Sequence, residues 1–181
     1  MDTLSIIEAA NGRALSARKR GNAKSVALAL DSHGARIGLN VPHRIAQYLA
    51  QLAHESGGFH YDREVWGPTP AQKRYEGRKV LGNTQKGDGS KFRGHGPIQV
   101  TGRGNATKFR EWCRRVIGTC PDFVAAPEKI NTDPWEGLTG IWYWDEGAPD
   151  GKSLNRYADS GDIEMITKKI NGGLNGYQDR I

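Results

Sequence analysis

Three observations predict an all-α chain with long glycine-rich loops. Apolar residues recur at helical spacing in several stretches, and complete helix-start signatures precede some of them. Sustained period-2 alternation is absent, apart from a short run near Ile98 that admits at most a small β element. At 181 residues, a single domain over 1–181 is expected, able to bury about 70% of its unfolded surface.

Taken in order, Thr3 to Ala14 reads as a first helix with Leu4, Ile7, Ala10 and Ala14 on one face. Asn22 to Leu30 reads as a second, and Gly34 to Val41 as a loop. Pro42 opens a long helix to Glu55, whose apolar stripe is Ile45, Leu49, Leu52 and Ala53. Gly57 or Gly58 supplies the left-handed residue that ends it. Thr69-Pro70 starts a short helix through Tyr75. Lys86 to Gly96 is expected to be an irregular loop. Pro97 to Thr101 is the best strand-like run, followed by a helix carrying Phe109, Trp112 and Cys113. Asp133-Pro134-Trp135-Glu136 predicts an Asp-capped helix with Trp135, Leu138 and Trp142 turned inward. After the loop Asp145 to Asn155, Asp159 to Asp162 starts a last helix with Ile163, Ile166 and Ile170 on one face, closed by Asn171-Gly172-Gly173.

The formal charge of +6 suits an anionic partner such as nucleic acid, an anionic membrane or an acidic cell wall. Basic residues are scattered apart from Arg18-Lys19-Arg20, and the basic–aromatic interleaving of single-strand binders is missing, so nucleic acid is not expected. The first residues lack a cationic start and apolar core, so a Sec signal peptide is not expected, and no apolar run approaches a membrane span. Cys113 and Cys120 fit either a pair in an oxidising compartment or two small buried residues; without a nearby His they make a poor zinc site. No metal or other cofactor is expected. Gly102-Arg103-Gly104 lacks the third glycine and the βαβ frame of a dinucleotide fingerprint. His54-Glu55 is not a metalloprotease motif, because the position four after His54 is Gly58.

The chemistry points to Glu55 and Glu64, nine residues apart across the reversal at Ser56-Gly57-Gly58. Glycosidic cleavage needs such a pair, one acid to protonate the leaving oxygen and one carboxylate to activate water or attack. Glu55 lies at the negative end of a helix dipole and the edge of an apolar face, which disfavours its charge and suits an acid. Glu64 follows Arg63 in a polar segment, which suits a base. Two surface glutamates at this spacing are also common, and these residues alone leave both readings open.

Four stretches decide more: H-E-S-G-G-F, R-E-V-W-G, R-G-H-G-P-I-Q-V-T-G-R-G-N and I-N-G-G-L-N-G. Together, over roughly residues 40 to 180, they resemble glycoside hydrolase family 19, and within it the bacteriophage endolysin branch more than plant chitinases. The resemblance implies a lysozyme-like fold, a helical large lobe with a smaller lobe beside a saccharide groove, the smaller one over about 104–133. It implies Glu55 as general acid, Glu64 as general base and Thr101 as the hydroxyl that helps hold the attacking water. Gln99 and Asn105 would lie on the groove floor, with Trp66 beside them; Asn171 would hydrogen-bond substrate and Arg180 would sit close to the base in a charge network. The implied activity is inverting cleavage of the β-1,4 bond between N-acetylmuramic acid and N-acetylglucosamine in peptidoglycan, by a monomer without stable membrane insertion. Chitin hydrolysis and non-catalytic wall binding are the alternatives. Synthesis in the bacterial cytoplasm, with release to the periplasm by a holin-like partner, is the implied route. Ala106 departs from the aromatic residue of many relatives, so one sugar-stacking contact is expected to be missing, and His95 is expected to fill a loop.

Overall fold

The computed structural model describes residues 2–181, which form an all-helical arrangement. Nine α-helices follow in order: α1 Thr3–Ala10, α2 Ala17–His33, α3 Pro42–Glu55, α4 Pro70–Lys73, α5 Asp88–Lys91, α6 Arg103–Val116, α7 Trp135–Trp142, α8 Asn155–Asp159 and α9 Ile163–Asn171. The strand-like run near Ile98 contributes only isolated bridges among the described residues, His95 with Val100 and His95 with Arg63. One hydrophobic cluster runs from Ile7 to Ile166, and Phe109, Phe123 and Trp142 meet within it, with Phe109 5.0 Å from Phe123 and 5.5 Å from Trp142 between ring centres.

The central helix is α7, buried from Glu136 to Trp142. Its glycines explain how it fits. A Cβ on Gly137 would lie 2.1 Å from the Ser25 carbonyl oxygen of α2, and one on Gly140 would lie 2.7 Å from the Tyr48 hydroxyl of α3. Each glycine costs a helix interior about 1 kcal/mol relative to alanine, and here that cost is offset by close helix approach. The expected Asp133 cap is not made. The Ser25 hydroxyl instead donates to Asp133 and accepts from the Gly137 N–H at 3.1 Å, so α2 supplies the cap across the interface.

Other boundaries differ for local reasons. α1 stops at Ala10, not Ala14, because Asn11 bonds the Arg13 carbonyl and Gly12 turns the chain at φ +66°. α2 begins five residues before the expected Asn22, with Ser16 as its cap accepting from the Lys19 N–H. The basic run Arg18 to Arg20 occupies its first turn, where cations oppose the dipole; Arg20 is offset by Glu8 at 2.7 Å. The segment 86–96 is not wholly irregular, since α5 forms in it. Asp88 starts that turn and pairs in the interior with Arg103 of α6, which holds the Asp88 carboxyl below its ordinary range. α3 runs over Pro42–Glu55 as expected, and α9 is capped by Asp162 and closed by Gly172 at φ +78°.

Candidate active site

α3 delivers Glu55 and the chain then reverses. Ser56 donates to the Leu52 carbonyl at 2.7 Å and accepts from the Phe59 N–H at 2.8 Å. Gly57, Gly58 and Phe59 are all left-handed, with φ of +62°, +66° and +63°. Glycine meets that demand cheaply, whereas Phe59 holds it as a strained residue anchored in the core.

Around Glu55 the contacts come from the far end of the chain. The Arg180 guanidinium donates to Glu55 Oε1 at 2.6 Å, to Gln51 Oε1 at 2.5 Å and to the Asn175 carbonyl at 3.4 Å. Asn171 donates to the same Asn175 carbonyl at 2.9 Å, which joins it to this cluster. Arg180 is only 1% exposed, while the Glu55 side chain keeps 19%. Glu55 Oε2 accepts no hydrogen bond among the described residues. Gly176 makes the approach feasible: it sits at φ +66° and a Cβ there would fall within 1.8 Å of the His54 ring. Tyr143, buried and near the Glu55 charge, has its hydroxyl pushed up to about 12, first by burial and then by Glu55.

Glu64 is held by neutral donors. Its Oε1 accepts from Gln72 Nε2 at 3.0 Å and from the Tyr75 hydroxyl at 3.3 Å; its Oε2 accepts from the Gly94 N–H at 3.0 Å. Three donors on two oxygens are the bonding pattern of a carboxylate, which only accepts. Gln72 is fixed by a full capping box with Thr69 at the start of α4. Burial and the adjacent Glu64 charge raise the Tyr75 hydroxyl. Trp66 lies half-buried with its ring 6.2 Å from that of Tyr75. Gln99 packs so closely on Gly94 that a Cβ there would meet its Oε1 at 2.2 Å. Thr101 donates to the Gln99 carbonyl at 2.9 Å, and Asn105 to the Thr101 carbonyl at 2.9 Å. Among the described residues no group of three or more His, Cys, Asp or Glu could hold a metal.

No protein-family model matches the chain. It is, however, 33% identical over 162 residues to a glycosyl hydrolase family 19 domain-containing protein of Haemophilus influenzae, spanning 75% of this chain and 74% of that one. The chain belongs to glycoside hydrolase family 19. Two endochitinases of Arabidopsis thaliana are 28% identical over 145 residues, and the chain spans less than half of their length, 45% and 44%. The fold resembles chitinase C of Streptomyces griseus at TM-score 0.59 and 22% identity, covering 87% of this chain and 64% of that one. It also resembles a class IV family 19 chitinase of Zea mays at TM-score 0.60 and 19% identity, covering 93% and 78%.

Within this family 19 chain the structure sorts the expected site residues into two groups. Glu64, Trp66, Gln99, Thr101 and Asn105 are linked through Tyr75 and Gly94; Glu55, Asn171 and Arg180 are linked through Asn175. One expectation is corrected. Arg180 pairs with Glu55, not with Glu64, because the turn Tyr177–Arg180 folds back on the end of α3. Arg63, also expected beside the base, directs its guanidinium to Asp62 at 2.6 Å. The cation expected beside Glu64 therefore lies on Glu55. Ala106 faces the core rather than the surface, and His95 is a buried link to Asn131 rather than filler; burial holds its imidazole below the ordinary value. Gln51, Gln72, Tyr75 and Asn175 were missed. The Thr69-x-x-Gln72 spacing could have flagged Gln72; nothing local flags the other three.

Proposed function

We propose that the chain hydrolyses the β-1,4 bond between N-acetylmuramic acid and N-acetylglucosamine in peptidoglycan, with Glu55 as general acid and Glu64 as general base. The observation that carries the assignment is the unequal bonding of the two carboxyls. Glu64 takes three donors and offers lone pairs only, whereas Glu55 is anchored through Oε1 and keeps Oε2 open to carry a proton. In the reaction Glu55 Oε2 gives its proton to the glycosidic oxygen while Glu64 takes one from the attacking water. Inversion requires the water to sit between carboxyls about 6.5–9.5 Å apart. Thr101 commits its hydroxyl proton to the Gln99 carbonyl, so Oγ1 presents acceptor lone pairs that can hold the water. Trp66 serves as a sugar platform, with Gln99, Asn105 and Asn171 as polar partners of the glycan.

A net charge of +6 favours an anionic wall polymer over neutral chitin. Chitin keeps its place as the second reading because the plant relatives and solved neighbours are named chitinases. The enzyme acts as a monomer and reaches the periplasm through a holin-like partner; among the described residues no helix is long and apolar enough to cross a membrane. Wild type should clear outer-membrane-permeabilised Gram-negative cells and Glu55→Gln should not; equal clearing by both would end the acid assignment. Product release from purified peptidoglycan but not from chitin oligosaccharides supports the wall reading, and the reverse supports chitinase.

A further inference from the structure

The charge of the chain is concentrated on one segment beside Glu64. From Lys73 to Arg93 seven basic residues stand against two acidic ones, a formal +5 in a chain whose total is +6. The rest of the molecule is close to neutral. Lys73, Arg74, Arg78, Lys79 and Lys86 are all exposed, and among the described residues none of them enters an ion pair.

The two acids of the segment are committed elsewhere. Glu76 accepts from the Gly87 and Gly89 N–H groups at 2.7 and 2.8 Å, one on each oxygen. Asp88 is buried on Arg103 at 2.6 Å and accepts from the Thr84 and Gln85 N–H groups. An ordinary solvated surface intersperses both signs; here the anions are taken up by the backbone and the interior, and the cations are left facing water. The same bonds make the segment one unit fastened to the site. Asn83 donates to the Tyr75 carbonyl at 2.8 Å, and the Glu76 bonds bring the Lys86 end of the loop back onto the 73–79 stretch. Gln72 and Tyr75, which flank Lys73-Arg74 in the chain, both donate to Glu64 Oε1.

We propose that this segment is the docking surface for the peptide stems of the wall polymer, whose free carboxylates it pairs with while the glycan lies across Glu55 and Glu64. The proposal rests on the peptidoglycan reading. The sugars of intact peptidoglycan are neutral, because the lactyl carboxyl of N-acetylmuramic acid is tied up in an amide; its anionic groups are the carboxylates of the attached peptides. A cationic surface at the cleavage site therefore acts on the peptides. Val80, 82% exposed among these cations, offers an apolar contact to the alanines of such a stem. Nucleic acid fits less well: Tyr75 and Phe92, the two aromatics of the segment, are half-buried and buried, and leave no platform for stacked bases.

The test compares soluble glycan strands that carry their peptides with strands stripped of them by an amidase. Binding is read first in Glu55→Gln, which needs no turnover. That chain should bind peptide-bearing strands about tenfold tighter than stripped ones at low salt, and the preference should shrink as salt rises. Adding Lys73→Gln, Arg74→Gln, Arg78→Gln and Lys79→Gln together should abolish the preference. Lys86→Gln alone should lower it part-way, which guards against misfolding of the fourfold variant. With Glu55 restored, the four substitutions should raise KM on peptide-bearing strands by a similar factor. Equal binding of the two strands by Glu55→Gln overturns the proposal, as does a loss in the variants that is the same on both strands. An oligonucleotide or a phosphatidylglycerol vesicle that binds through the same cations more tightly than the peptide-bearing strands also overturns it, in favour of that partner. If wild type cleaves only chitin, the substrate reading fails and the binding arm alone decides the surface: it stands with a peptide preference and falls without one.

Discussion

The two candidate carboxylates are held by opposite means. Glu55 ends a rigid helix and is gripped by a buried cation 125 residues away in sequence, with a second hold on Gln51. Glu64 sits on an irregular segment and is gripped by three neutral donors within 30 residues, one of them backbone. The position of Glu55 therefore depends on long-range closure of the chain, and that of Glu64 on local turn chemistry. Losing the single buried ion pair strands an ionised partner, whereas losing one of the three neutral donors on Glu64 leaves two.

The largest effect should come from removing the carboxylates themselves. Glu55→Gln and Glu64→Gln should each lower turnover by about 10²–10⁴-fold. Azide, which needs no deprotonation, should restore part of the cleavage by Glu64→Gln and none by Glu55→Gln on native peptidoglycan. The opposite pattern would exchange the two roles.

Next in size is a pH effect on stability from the buried Glu136 of α7. The Glu136 carboxyl is raised from 4.5 to about 7 in the folded chain. Between these values the folded state binds the proton that the unfolded state releases, so stability is highest below pH 4.5 and declines as pH rises through about 7. The decline amounts to about 3 kcal/mol. Urea midpoints of wild type should fall over this window, and those of Glu136→Gln should stay flatter; parallel curves would show that Glu136 is not buried as described.

Breaking the long-range grip should cost less in stability but distinguish the two regions directly. Arg180→Leu strands Glu55 and Gln51, and breaking a buried pair costs about 3–5 kcal/mol. Partial exposure of Glu55 reduces this to about 2 kcal/mol. Turnover should fall with it, because Oε2 of Glu55 loses its orientation. Tyr75→Phe removes one of three donors on Glu64 and should cost about 1 kcal/mol, read from chemical denaturation alongside kcat. If Tyr75→Phe proves as damaging as Arg180→Leu, Glu64 is no more tolerant than Glu55.

The smallest effect should come from the turn that aims Gln72. Thr69→Ala removes the cap and should cost about 1 kcal/mol, with a modest loss of activity transmitted through Gln72 to Glu64. A calorimetric Tm unchanged by this substitution would mean that the capping box contributes nothing.

The sequence by itself determined those features whose causes lie within a few residues. The all-helical class, the span of α3 with Glu55 in its last turn, the reversal at Gly57-Gly58, the Thr69 start and the Asp162 and Gly172 ends of α9 all follow from local periodicity, capping and left-handed backbone. The motifs around Glu55, Glu64, Thr101 and Asn171 likewise exposed the family, because motif spacing is carried by the chain alone. Tertiary structure decided what crosses the core. Ser25 rather than Asp133 accepts from the Gly137 N–H of α7, and Arg180 lies on Glu55 rather than Glu64. A charge or hydroxyl pairs with whatever the folded chain brings within about 3 Å, and sequence separation carries no information about which partner that will be.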